Sequence, residues 1–120
     1  MKAAGKRQKG SRVEREIKAR CEEAGIPARR VVMSGAAARY DERLAGDVDI
    51  GVLPNGRALF TSEIKARKNG AGFKVMEDWL GDNDLLILRR DNTKPFVAMS
   101  WDTFIELMQC YYEEELREQN

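Results

Sequence analysis

The stretch Gly46–Lys68 reads GDVDIGVLPNGRALFTSEIKARK. Over residues 46–53, Asp47 and Asp49 alternate with Val48, Ile50 and Val52, the period-two pattern of a strand. Pro54-Asn55-Gly56 is a turn, and residues 57–66 form a second strand. The turn chemistry suits a three-residue hairpin loop with Gly56 in the left-handed position. Leu53 then faces Arg57, and Asp47 sits opposite Glu63, with Cβ atoms roughly 4.5–5.5 Å apart. A two- or four-residue loop would instead pair Asp47 with Ile64 and send the two acids to opposite faces.

Outward from this hairpin, the elements alternate between helix and strand. Residues 1–10 (MKAAGKRQKG) read as a flexible basic arm, and residues 11–120 as a single domain. A helix is expected from Ser11, because Val13, Ile17, Cys21 and Ala24 share one face. Gly25 and Pro27 end it. Residues 28–34 read as a strand and residues 35–45 as a loop. Beyond the hairpin come a Gly-rich loop (Lys68–Gly72), a helix carrying Phe73, Val75, Met76, Trp79 and Leu80, and a strand at Asp84–Leu88. A further strand at Phe96–Met99 and a final helix capped by Ser100 or Asp102 complete the chain. The order α-β-β-β-α-β-β-α is that of an α/β domain.

Composition narrows the chemistry. Among 120 residues there is no histidine, which removes Ser-His-Asp triads, Cys-His pairs and His-ligated zinc within one chain. Cys21 and Cys110 are far apart and read as two buried thiols in a reducing compartment. No apolar run approaches the roughly 20 residues of a membrane span, and no apolar segment follows the basic N-terminus as in a secretory signal. An intracellular, cytoplasmic location is therefore expected (host cytoplasm if the source is viral). Net charge is +1, but residues 1–30 hold ten basic and four acidic residues, whereas residues 91–120 hold two and seven. A basic front end suits a polyanion; an unevenly charged solvated surface explains it equally well.

Two facing carboxylates repel unless a cation lies between them. Oxygen ligands without histidine suit Mg²⁺, with Mn²⁺ as a substitute. Lys65 projects on the same face as Glu63, roughly 7 Å along the strand. A divalent ion with an ammonium beside it fits phosphodiester hydrolysis, where negative charge builds on phosphate oxygens. An E-x-K triplet alone is more often an exposed strand face, and it is Asp47 in register that favours a site. Asp49 lies on the same face, as a supporting ligand, an acid behind the ligands or an exposed acid. Glu14 completes a Ser11-x-x-Glu14 capping-box spacing. It also lies about 20° from Cys21 around the helix, at the edge of the apolar stripe, where an acid needs a partner such as an arginine or a water. Ser34 is either a phosphate contact or a turn hydroxyl. Lys6, Arg7, Lys9, Arg12, Arg29, Arg30, Arg67 and Lys68 are candidate phosphate contacts. Trp79 and Trp101 read as core or interface residues.

The ordered set KGSRVEREI (Lys9–Ile17), RVVMSG (Arg30–Gly35), GDVD (Gly46–Asp49) and SEIKARK (Ser62–Lys68) resembles the archaeal-type Holliday junction resolvases of the PD-(D/E)XK nuclease superfamily. The likeness covers roughly residues 9–68. It implies a restriction-endonuclease-like fold, with a central mixed β-sheet flanked by helices. It implies catalytic roles for Glu14, Ser34, Asp47, Glu63 and Lys65, with metal held by Asp47, Glu63 and the Ile64 carbonyl. It places Arg15 and Arg30 where basic residues approach DNA, and Lys9, Arg12, Arg67 and Lys68 complete the expected DNA contacts. Gly46 stands where the superfamily often has proline. The implied activity is Mg²⁺-dependent cleavage of four-way DNA junctions by a homodimer. The alternatives are a related nuclease acting on flaps, ends or nicks, and a DNA-binding module without catalysis.

Overall fold

The computed structural model describes residues 3–31, 47–70 and 72–119, with side chains from residue 11 onward. The described elements are α1 (Ala3–Glu23), β1 (Ala28–Arg30), β2 (Val48–Val52), β3 (Ala58–Ser62), α2 (Phe73–Leu80), β4 (Leu85–Leu88), β5 (Phe96–Met99) and α3 (Trp101–Glu118). The order is the expected one. The molecule is a small α/β protein with two antiparallel sheets, β1-β2-β3 and β4-β5. This corrects the expected single mixed sheet: among the described strands every pairing is antiparallel, and no ladder joins β3 to β4. The chain forms two compact units, residues 1–66 with 108–120, and residues 67–107.

In the first unit, α1 begins at Ala3, eight residues before the expected start. Ala3, Ala4, Lys6, Arg7, Gln8 and Lys9 all favour helix, and together they carry Gly5 and Gly10 through. The segment expected as an arm is thus the first part of the helix from Ala3 on, and Ser11 is mid-helix. A capping box at Ser11-Glu14 is ruled out, because a cap needs a free helix end. The apolar stripe holds: Cys21 is fully buried, and Val13, Ile17 and Ala24 are half-buried. Ile26, Ala28, Val48, Ile50 and Leu53 join Cys21 in the core with Met108 and Tyr112 from α3. Tyr112 donates its hydroxyl to the Val52 carbonyl at 3.2 Å, and Gln109 donates to the Ala24 carbonyl at 3.0 Å. These bonds tie the C-terminal half of α3 to β2 and to the end of α1.

The β2–β3 hairpin has the register expected from its turn. Val48 faces Ser62, Asp49 faces Thr61, Ile50 faces Phe60 and Val52 faces Ala58. Leu53 N–H donates to the Arg57 carbonyl at 2.8 Å. Gly56 has φ +90, and the Asn55 side chain accepts from Arg57 N–H at 2.9 Å. The left-handed residue sits where the loop length required it. Gly51 is a second constrained position. Its φ is +76, and a Cβ there would lie 3.1 Å from Leu59 Cδ1. Gly51 and Val52 both donate to the Pro27 carbonyl, at 2.8 and 3.0 Å. Two residues opposing one is a β-bulge on the β1 side of the sheet.

In the second unit, α2 ends where Gly81 N–H donates to the Glu77 carbonyl at 3.1 Å. Ser100 caps α3, accepting from Thr103 N–H at 3.2 Å, so of the two expected caps Ser100 is the one used. Trp101 stacks at a tilt on Phe104, with ring centroids 5.4 Å apart. Trp79 is 61% exposed, which removes it from the core of the described residues. Cys110 is likewise exposed, correcting the expectation of two buried thiols. No helix among the described residues is long and apolar enough to cross a membrane.

Candidate active site

The C-terminal end of β1, the N-terminal end of β2 and the C-terminal end of β3 meet at one end of the three-stranded sheet. Asp47 is fixed there by its backbone on both sides. Its carbonyl accepts from Val31 N–H at 3.0 Å, and its own N–H donates to the Ser62 carbonyl at 2.7 Å. Its carboxylate oxygen Oδ2 accepts from Ile64 N–H at 2.7 Å. This last bond explains why β3 stops at Ser62, short of the expected end at residue 66. The ladder register would continue to a backbone pair of Asp47 with Glu63. The Asp47 N–H instead takes Ser62, and its side chain takes the next free amide. The acid therefore lies against the Glu63–Ile64 peptide, while Oδ1 makes no hydrogen bond among the described residues.

Glu63 and Lys65 follow directly on this strand end. Both side chains are more than half exposed, and Lys65 Nζ lies 3.5 Å from Glu63 Oε1. An exposed pair of this kind contributes only about 0–1 kcal/mol to folding. Neither residue has an evident structural duty. Ser62, just before them, is turned inward and donates its hydroxyl to the Val48 carbonyl at 2.7 Å.

Glu14 reaches the same end of the sheet from α1. Its Oε1 accepts from Arg30 Nη2 at 3.1 Å and Nε at 3.3 Å, with both side chains three-quarters or more buried. Of the two readings of Glu14, the structure supports the acid that needs a partner, and that partner is an arginine. Arg30 faces Val48 across the sheet, one residue from Asp47. Arg30, expected as a DNA contact, is thus committed to an ion pair.

Asp49 is only 7% exposed, and its Oδ2 accepts from Arg29 Nη2 at 2.8 Å and Nε at 3.1 Å. Arg29 faces it across the β1–β2 pair and also donates to the Gly56 carbonyl at 3.3 Å. This excludes the exposed-acid reading of Asp49. Sequence inspection missed this partnership. Antiparallel pairing of 28–34 with 46–53 would have revealed it.

The remaining expected site residues divide three ways. Arg12 and Arg15 lie exposed on α1 and make no ion pair among the described residues. Arg67 and Lys68 are exposed at the start of the second unit. Ser34 lies outside the described residues, and so do the side chains of Lys6, Arg7 and Lys9.

The donor set at the sheet end suits a hard divalent cation. Among the described residues Asp47 retains a carboxylate oxygen without a hydrogen-bond partner, Glu63 is exposed next to the Ile64 amide that Asp47 holds, and the Ile64 carbonyl is a further oxygen of that segment. No group of three or more His, Cys, Asp or Glu side chains gathers among the described residues. Mg²⁺ does not require one, since it keeps several waters and binds through one or two carboxylates. No protein-family model, curated protein or solved structure matches the chain.

Proposed function

We propose that this chain is a Mg²⁺-dependent DNA endonuclease of the PD-(D/E)XK kind that resolves four-way junctions as a homodimer. The observation that carries this reading is the hydrogen bond from Ile64 N–H to Asp47 Oδ2. It sets a clamped carboxylate against the backbone of an exposed Glu-x-Lys segment. The motif order from Lys9 to Lys68 supports the same reading.

Asp47 and Glu63, with the Ile64 carbonyl, would hold Mg²⁺, or Mn²⁺ in its place. The bound ion would supply Lewis-acid stabilisation of charge on the scissile phosphate. In the reaction, a water oxygen bonds to phosphorus while one P–O bond to sugar breaks, leaving one phosphate end and one hydroxyl end. Negative charge accumulates on the phosphate oxygens. Lys65, an exposed ammonium at the strand end, neutralises that charge or holds the attacking water. Glu14 and Arg30 position the end of β1 beside Asp47. Ser34 contacts the phosphate, and Lys9, Arg12, Arg15, Arg67 and Lys68 contact the DNA backbone. Two such sites in a symmetric dimer match the symmetry of a junction. As a resolvase of cellular or viral DNA the protein would work inside the cell, in the cytoplasm.

The test is cleavage of a substrate panel: four-way junction, flap, nicked duplex and linear duplex of shared sequence, each with Mg²⁺. Preferential, paired cutting of the junction is expected. Equal cutting of flaps or ends would replace junction resolution with a broader nuclease. Tight binding without cutting under any divalent ion would make the chain a DNA-binding module.

A further inference from the structure

The second unit carries a groove that the proposed chemistry does not use. Leu88 faces Phe96 across the β4–β5 pair. Arg89, Arg90 and Lys94 lie just beyond that pair, in the segment that connects the two strands. The connecting turn is well defined. Thr93 donates both its amide, at 3.1 Å, and its hydroxyl, at 2.7 Å, to the Arg90 carbonyl. Asn92 takes a left-handed φ of 62, which its short polar side chain tolerates. Trp79 comes from the last turn of α2. Together these residues border a groove of about 410 Å³, within the range of sites that take a small molecule.

Its lining has an unusual balance. Arg89, Arg90 and Lys94 are all there, and no carboxylate is. None of the three makes an ion pair among the described residues. Beside them Trp79 is 61% and Phe96 76% exposed. A flat aromatic face next to unpaired cations is what a nucleic-acid strand uses: a base stacks on the ring while its phosphate meets the charge. A duplex would engage the cations and leave the rings idle. A second copy of the chain packed on the rings would bury three cations without partners.

We infer that this groove binds a nucleotide unit of an unpaired DNA strand. The base lies on Trp79 or Phe96 and the phosphate among Arg89, Arg90 and Lys94. The choice of DNA over other polyanions rests on the nuclease reading, but the groove shares no residue with Asp47, Glu63 or Lys65. Such a contact would hold the unstacked strands near a junction centre.

The experiment measures binding of a labelled oligothymidylate of about 12 nucleotides to the whole protein in EDTA, where nothing is cut. Trp79→Ala and Phe96→Ala should each weaken this binding about tenfold and leave binding of a duplex of equal length nearly unchanged. Replacing Arg89, Arg90 and Lys94 by Gln, all on the surface, should lower the salt slope for the oligonucleotide by about 2. Thymidine monophosphate should compete only weakly. The inference is overturned if the aromatic variants bind the oligonucleotide normally, if duplex binding falls in parallel, or if the monophosphate competes as well as the strand. It is also overturned if Trp79→Ala dissociates a dimer and binding follows oligomeric state. Junction cleavage with Mg²⁺ is scored separately. A wild-type protein that binds the oligonucleotide but never cuts refutes the nuclease reading and leaves the groove standing.

Discussion

Ile64 N–H donates to Asp47 Oδ2 at 2.7 Å, so the acid at the start of β2 is held by the backbone between Glu63 and Lys65. The bond performs two tasks. It ends the β3 ladder, and it aims one carboxylate at the segment that bears the other acid and the lysine. A carboxylate fixed in this way loses little further freedom on binding a cation or a phosphate, which is the advantage of preorganisation.

Asp47 therefore combines a structural and a chemical role, and two substitutions separate them. Asp47→Asn keeps an oxygen to accept from Ile64, so it should melt close to wild type while cleavage falls by about 100-fold or more. Asp47→Ala also strips the acceptor from a half-buried amide and should lose about 1–3 kcal/mol of stability. Thermal melts alongside cleavage rates check both. A stable but fully active Asp47→Asn would deny the acid its chemical role.

Glu63 and Lys65 should behave oppositely from core residues. Both are exposed and, among the described residues, pair with each other at 3.5 Å. Glu63→Gln and Lys65→Met should each abolish cleavage and shift stability by no more than about 0.5 kcal/mol. Urea unfolding and junction assays decide this. A large stability loss would recast the pair as scaffolding.

Arg29 should matter for folding. Removing it leaves the Asp49 carboxylate, 7% exposed, without its two guanidinium bonds. Arg29→Ala should cost about 2 kcal/mol, and Arg29→Ala with Asp49→Ala should cost less than the two single changes added together. A double-mutant cycle by urea unfolding measures the coupling. A coupling near zero would show that the pair does not hold β1 to β2.

The two thiols should differ in reactivity. Cys21 is fully buried, and burial, with Glu22 beside it, pushes its pKa above the ordinary thiol value. Cys110 is exposed on α3. A thiol reagent at neutral pH should label Cys110 quickly and Cys21 only on unfolding. Mass mapping of the labelled peptide checks this, and rapid labelling of Cys21 would contradict the packing of α1.

The hairpin was the most legible part of the chain. Pro54-Asn55-Gly56 dictates loop length and loop length dictates the register as far as Val48 with Ser62; the expected pair of Asp47 with Glu63 is not formed, because Asp47 N–H takes the Ser62 carbonyl and its side chain takes Ile64 N–H. The stripe on α1 and the Ser100 cap were legible for the same reason, because they depend on local spacing. What escaped the sequence was non-local. Pairing of β1 with β2 buries Asp49 on Arg29 and gives Glu14 its arginine. Neither follows from spacing within one element. The start of α1 is less legible: Gly5, Gly10 and the surrounding charge suggest an arm, whereas the helix formers from Ala3 to Lys9 outweigh both glycines. The expected central mixed sheet came from the family resemblance, whereas the described strands pair only with neighbours in the sequence. Pairing of β4 with β5 through the Asp91–Thr93 turn is local and sufficient by itself.

The most direct measurement is cleavage of a four-way junction by wild type and Asp47→Asn, with and without Mg²⁺, with the product ends mapped. Paired symmetric cuts by wild type are expected only when Mg²⁺ is present, leaving one phosphate and one hydroxyl at each nick, with cutting by Asp47→Asn reduced about 100-fold or more. A junction left intact by wild type in Mg²⁺, or cut equally well by Asp47→Asn, would contradict the proposed activity.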